Sequence, residues 1–143
     1  MGVISLTSYN DPMVKRKIIM ERYSNPIHKG ELEGAEVMER FSTQCVDKMK
    51  LFLKWENDTL VDVKHDSVGC AVFLSSLDLF IDYIIGKNKD EIREVVKNYD
   101  AMINQSGEYS KEQLDKLIIF DNVKTHLNRL LCANMISEAL KSI

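Results

Sequence analysis

The feature that most constrains this chain is a change of period near its middle. From Lys48 to Lys64 apolar and polar residues alternate: Met49, Leu51, Leu53 and Trp55 against Lys48, Lys50 and Lys54, then Val61 and Val63 against Asp62 and Lys64. A period of two belongs to a strand with one buried and one wet face. Glu56-Asn57-Asp58 separates the two runs with turn-forming residues, so they read as an antiparallel hairpin. Past Cys70 the spacing becomes helical, first through Val72, Phe73, Leu77, Phe80, Ile81 and Ile84, and last through Leu127, Leu130, Leu131, Met135, Ile136, Ala139 and Leu140. The expected fold class is therefore α+β: a small antiparallel sheet of about three strands packed against helices.

The flanking segments fill in that outline. Asp11-Pro12 reads as a helix N-cap followed by proline at the first helical position, opening a helix that carries Val14, Ile18, Ile19 and Tyr23 until Asn25-Pro26 stops it. Another strand is expected to approach Cys45. Residues 88–118 read as a helical excursion around Gly107, inserted before a long C-terminal helix. At 143 residues the chain fits a single domain, 1–143, with residues 1–11 expected to be a mobile N-terminal segment.

Charge and composition exclude several classes. The net charge is −3 and the basic residues are interspersed, so the positive footprint of a nucleic-acid binder is missing. Lys15-Arg16-Lys17 is the one basic run, read as the solvated face of a helix or, alternatively, as a docking patch for an acidic partner. The apolar stretch from Cys70 to Ile85 is interrupted by Asp78 and Asp82 and is shorter than the ~20 residues that a membrane span needs. Those two aspartates, four apart, read as a polar stripe on a core helix rather than as a catalytic pair. No apolar leader-like run opens the chain, and Leu6 stands where a myristoylation signal needs serine or threonine, so the expected setting is a reducing cytoplasm.

There free thiols persist, and the chain has three: Cys45, Cys70 and Cys132. The number is odd, the intervals are 25 and 62 residues, and no CxxC pair exists, so neither a disulfide framework nor a zinc-finger spacing fits. With Asp47, each stands at an expected element boundary, and the four read as ligands of one metal site brought together by folding. Thiolate and carboxylate ligands suit zinc, and thiolates equally suit an iron-sulfur cluster. The competing reading is that scattered cysteines are small buried hydrophobes. His65, five residues before Cys70, reads as a core histidine, while His28 and His126 have no partner spacing and read as surface residues.

Four short pieces in order carry a family resemblance. Ile18-Ile19-Met20-Glu21-Arg22-Tyr23-Ser24-Asn25-Pro26, with Gly30 and Leu32 beyond, comes first, followed by Cys45-Val46-Asp47. Leu60-Val61-Asp62-Val63 with Gly69-Cys70-Ala71 and then Arg129-Leu130-Leu131-Cys132-Ala133 complete the set. From Ile18 to Leu140 the chain resembles the NifU-type iron-sulfur cluster assembly family, and most closely its SufU branch. The long Cys70-to-Cys132 interval and the lack of a histidine before Cys132 both resemble SufU rather than the shorter scaffold branch. Two departures stand out: Val46 replaces the family's glycine, implying a stiffer loop, and Ser42-Thr43 stands where Asn-Pro is common.

The resemblance implies a zinc site of Cys45, Asp47, Cys70 and Cys132, and a sulfurtransferase that accepts persulfide sulfur from a cysteine desulfurase of the SufS/NifS type, for delivery to a downstream apo-protein or sulfur acceptor. The alternative it implies is a scaffold on which Cys45, Cys70 and Cys132 hold a nascent iron-sulfur cluster. Cys45, expected on a loop, is the implied acceptor. Three thiolates and a carboxylate overload a dipositive zinc, and Arg129, one turn before Cys132, is placed to offset the excess and to meet an incoming sulfur species; the other reading of Arg129 is an ordinary surface arginine.

Overall fold

The computed structural model describes residues 6–42, 47–125 and 127–143. Its sheet has three antiparallel strands in the order β1-β2-β3: β1 (Glu36–Phe41), β2 (Lys48–Glu56) and β3 (Thr59–His65). The hairpin turns on Asn57 and Asp58, with φ of 51° and 68°. A two-residue loop needs both positions left-handed to match the strand twist, and Asn and Asp tolerate this better than most side chains.

The alternation expected for β3 breaks at one point. Lys54 pairs with Asp62 but Trp55 pairs with Leu60, so Val61 is an extra residue in a bulge. One inserted residue inverts a period of two. Leu60 and Val63 are accordingly buried, whereas Val61, expected on the inner face, is 39% exposed.

Five α-helices are described: α1 (Pro12–Ser24), α2 (Ala71–Asp82), α3 (Lys89–Asn104), α4 (Lys111–Leu114) and α5 (Leu127–Leu140). The Asp11 side chain accepts the Met13 N–H and Pro12 occupies the first turn of α1, as the sequence predicts. The central helix is α2, which packs against both α1 and α5. The inserted helix α3 starts with a capping box between Asn88 and Glu91 and buries a stripe of Ile92, Val95, Val96, Tyr99, Met102 and Ile103. Tyr99 meets Phe80 edge-on at 5.0 Å, and its hydroxyl donates to the Ala133 carbonyl at 2.9 Å. The insertion thus braces α5 from behind. None of the helices is long and apolar enough to cross a membrane among the described residues.

Two expectations change. Residues 6–10 form a 3-10 turn, and Tyr9 is 3% exposed within the core, so the expected mobile segment does not extend to residue 11. Asp78 and Asp82 are also more than a polar stripe. Asp78, fully buried, accepts hydrogen bonds from the Arg22 guanidinium and from the Ile27 and His28 amides, and pairs with the His65 ring at 2.9 Å. Asp82 pairs with Arg22 and with His28, which therefore has a structural partner. Burial alone would raise Asp78, but these hydrogen bonds, His65 first, outweigh it and hold the carboxyl at about 2. The knot ties α1 and the segment after it to α2 and β3.

Candidate metal centre

Backbone pairing brings the first candidate ligands together. Lys48 and Val68 exchange amide hydrogen bonds of 2.7 and 2.9 Å, which lays the segment leading into α2 beside the start of β2. Asp47 is thereby set against Cys70, whose amide donates to Asp47 Oδ1 at 3.0 Å. Gly69 makes the approach possible: a Cβ there would fall 2.3 Å from Asp47 Oδ1 and 2.6 Å from the Phe73 ring. Cys70 is the N-cap of α2, and its sulfur accepts the Phe73 N–H at 3.4 Å. The packing of α5 on α2 then delivers Cys132, whose Sγ lies 3.3 Å from Cys70 Sγ and 2.8 Å from Asp47 Oδ2.

Burial gives this cluster a direction. Asp47 and Cys132 are each 3% exposed, whereas Cys70 is exposed. The buried side is held by backbone and helix packing, and the open side is at Cys70. Asp47 is nearly sealed from solvent, and the Cys70 amide engages one of its oxygens. Its Oδ2 faces the Cys132 thiol.

The donor set fits zinc. Ligand atoms of Asp47, Cys70 and Cys132 all lie within 4.8 Å of one another; a tetrahedral ion with Zn–S bonds of about 2.3 Å needs its sulfurs roughly 3.8 Å apart, so the Cys70 and Cys132 sulfurs, at 3.3 Å, would part by about 0.5 Å to take it. Two thiols and one carboxylate oxygen supply three positions of four. Cys45, the fourth ligand expected from the sequence, lies outside the described residues, as does His126.

Arg129 stands on the first turn of α5 with an exposed side chain. It lines a cavity of about 650 Å³ that also reaches Arg16 on α1 and Ala71 and Val72, the two residues after Cys70. The structure thus brings Asp47, Cys70 and Cys132 into one cluster and sets Arg129 on the wall of the neighbouring cavity. Gly69 is the residue whose role the sequence did not disclose. It was visible within Gly69-Cys70-Ala71, but the need for a missing side chain depends on Asp47, 22 positions away.

This small α+β domain gathers two thiols and a carboxylate where a sheet edge meets two helix segments, a group that could hold a metal ion with one side open to solvent. The chain belongs to the family of the NifU-like N-terminal domain, whose model matches residues 14–133. Among curated relatives, it is 28% identical over 127 residues to the zinc-dependent sulfurtransferase SufU of Bacillus subtilis strain 168, covering 88% of this chain and 86% of that one. It is 23% identical over 124 residues to the iron-sulfur cluster assembly scaffold protein IscU of Streptococcus pyogenes serotype M1, covering 87% and 78%. The crystal structure of FiSufU from Fervidobacterium islandicum AW-1 superposes with a TM-score of 0.83 at 31% identity, over 88% of this chain and 93% of that one.

Proposed function

We propose that this chain is an iron-sulfur cluster assembly protein that takes persulfide sulfur from a cysteine desulfurase while holding zinc through Cys45, Asp47, Cys70 and Cys132. The observation that carries this reading is the one-sided cluster: Asp47 and Cys132 buried, Cys70 open, all within 4.8 Å. A ligand that solvent reaches, as Cys70 is, leaves the cluster approachable from that side by a sulfur donor. The similarity to a zinc-dependent sulfurtransferase adds support.

Bound zinc would keep the cysteine side chains as thiolates at neutral pH and offset their charge. Asp47 and Cys132 form the fixed side: the Cys70 amide orients Asp47, and the packing of α5 holds Cys132. Cys45 is the proposed acceptor. Its thiolate attacks the outer sulfur of the desulfurase persulfide, forming a new S–S bond at Cys45 as the bond to the desulfurase cysteine breaks. That cysteine leaves as a thiolate, so the transfer involves no net oxidation. Arg129, on the cavity wall beside the first turn of α2, supplies positive charge for the anionic sulfur group as it arrives.

The relative named as a scaffold favours a second reading, in which the same thiols carry a nascent iron-sulfur cluster as cargo. Metal analysis and the ultraviolet-visible spectrum of the isolated protein separate the two. One zinc per chain and no colour is the expected result; a brown protein with iron and sulfide would replace the transfer reading with the scaffold. Mass mapping after incubation with desulfurase and cysteine should find the extra sulfur on Cys45. Sulfur on Cys70 or Cys132, with Cys45 bare, would reassign the acceptor.

A further inference from the structure

The free edge of the sheet carries a pattern that the metal centre does not use. β1 stands at one end of the order β1-β2-β3, and among the described residues no strand or isolated bridge pairs with its outer side. The ladder fixes where its backbone groups point. The Ser42 amide donates to the Asp47 carbonyl at 3.0 Å, and the register continues with Arg40, Met38 and Glu36 opposite Met49, Leu51 and Leu53. Bonding alternates along an antiparallel strand, so these positions face β2, while Val37, Glu39 and Phe41 turn their N–H and C=O groups outward. The Glu39 carbonyl is met there by the Arg40 guanidinium, at 2.8 Å.

Exposed edges are ordinarily blunted by proline, lysine or a bulge. β1 contains none of these. Five of its six residues are exposed and Met38 is half-buried, with Val37 48% and Phe41 64% exposed. Alternation puts Glu36, Met38 and Arg40 on one face in the order acid, apolar, base. Glu36 receives the Trp55 indole N–H at a long 3.5 Å and Arg40 rests on a backbone carbonyl, so neither meets an opposite charge among the described residues. Run backwards, the order becomes base, apolar, acid. An antiparallel copy related by a two-fold axis at Met38 therefore sets each Glu36 opposite an Arg40 and brings the two Met38 side chains together. On the other face Val37 falls opposite Glu39, whose carboxylate lies 3.9 Å from Lys50, and Phe41 comes within diagonal reach of Val37. An axis at Glu39 would instead oppose two glutamates. An unrelated strand could take the backbone bonds, but nothing on this edge selects one as the charge order selects its own copy.

We propose that β1 pairs with β1 of a second copy of this chain, antiparallel and centred on Met38, joining two three-stranded sheets into one of six strands. Val37 and Glu39 exchange N–H and C=O bonds across the axis, and the Arg40 guanidinium leaves its own edge for Glu36 of the second copy. The contact is one strand wide, below the ~1,200–2,000 Å² of stable complexes, so the dimer is weak and reversible. The pairing goes beyond the sulfur-accepting reading and does not depend on it.

Sedimentation velocity of the zinc-loaded chain, from micromolar to near-millimolar concentration, tests this on wild type, Arg40→Glu, Glu36→Arg and Glu39→Pro. Wild type should move from monomer to dimer as concentration rises. Arg40→Glu and Glu36→Arg each oppose like charges twice and should each raise the dimer Kd at least about tenfold. An equimolar mixture of the two restores opposite charges at both positions and should dimerise within about threefold of wild type. Glu39→Pro removes an outward N–H without touching the β2 ladder and should abolish the dimer, with zinc content and circular dichroism unchanged. Wild type that stays monomeric throughout would overturn the proposal and leave this edge to another chain or to solvent. A dimer that survives both charge reversals would place the interface elsewhere, and a mixture that fails to recover would overturn the Met38-centred pairing even if Glu39→Pro does not fold.

Discussion

At the scale of single residues, the centre depends on one atom that is not there. The Cβ that Gly69→Ala adds would meet Asp47 Oδ1 at 2.3 Å, and the opposing atoms belong to a buried carboxylate and to the Phe73 ring, neither of which can swing away cheaply. Gly69→Ala should therefore push Asp47 off its position and lower zinc affinity by about 10–100-fold, the range typical when the support of a ligand is lost. Competition with a chromogenic chelator measures this; unchanged affinity would show that Asp47 is dispensable for the metal. Arg129→Ala makes the opposite prediction. The side chain is exposed, so stability should change by no more than about 0.5 kcal/mol, while the rate of persulfide loading falls; an unchanged rate would mark it as an ordinary surface arginine. The residue types around the cluster were legible in the sequence because thiols and carboxylates advertise metal chemistry. The role of Gly69 was hidden, since a glycine is silent until its neighbours are known.

Among the elements, helix starts and the hairpin could be read because their signals are local. Asp11-Pro12 caps the helix that it begins, and Asn57-Asp58 bends the loop in which it sits. The bulge at Val61 was not legible, because alternation continues through it and the slip is decided by the pairing of Trp55 with Leu60 across the hairpin. The polar knot escaped for the same reason: Arg22 and Asp78 lie 56 residues apart. An aspartate inside an apolar run was the only hint. The knot has a consequence for acid stability. Asp78 titrates at about 2 in the folded protein against an ordinary 3.8. A depressed carboxyl stabilises the fold above its unfolded pKa and loses that contribution as pH falls through the folded value. Asp78 should thus contribute about 2 kcal/mol that is present above pH ~4 and disappears towards pH ~2. Urea unfolding of wild type and Asp78→Asn across that window should show wild type losing its advantage as acid is added; a constant difference between the two would contradict the linkage.

For the molecule as a whole, metal and fold should be coupled. Structural zinc can contribute on the order of 10 kcal/mol, comparable with the ~5–15 kcal/mol total stability of a domain. Chelation should lower the melting temperature by about 10 °C or more and zinc should restore it, as followed by circular dichroism; a melting curve indifferent to chelator would mean that the cluster adds nothing to the fold. The three described ligand positions are distant in the chain, at 47, 70 and 132. No local fragment contains more than a part of the site. A protein emerging from the ribosome N-terminus first would expose Asp47 and Cys70 long before Cys132, which follows Cys70 by 62 residues. Capture of a metal by the whole group must then wait until α5 has been made, so a nascent chain that stops short of Cys132 would lack one of the candidate ligands and hold zinc less well than a chain that includes it.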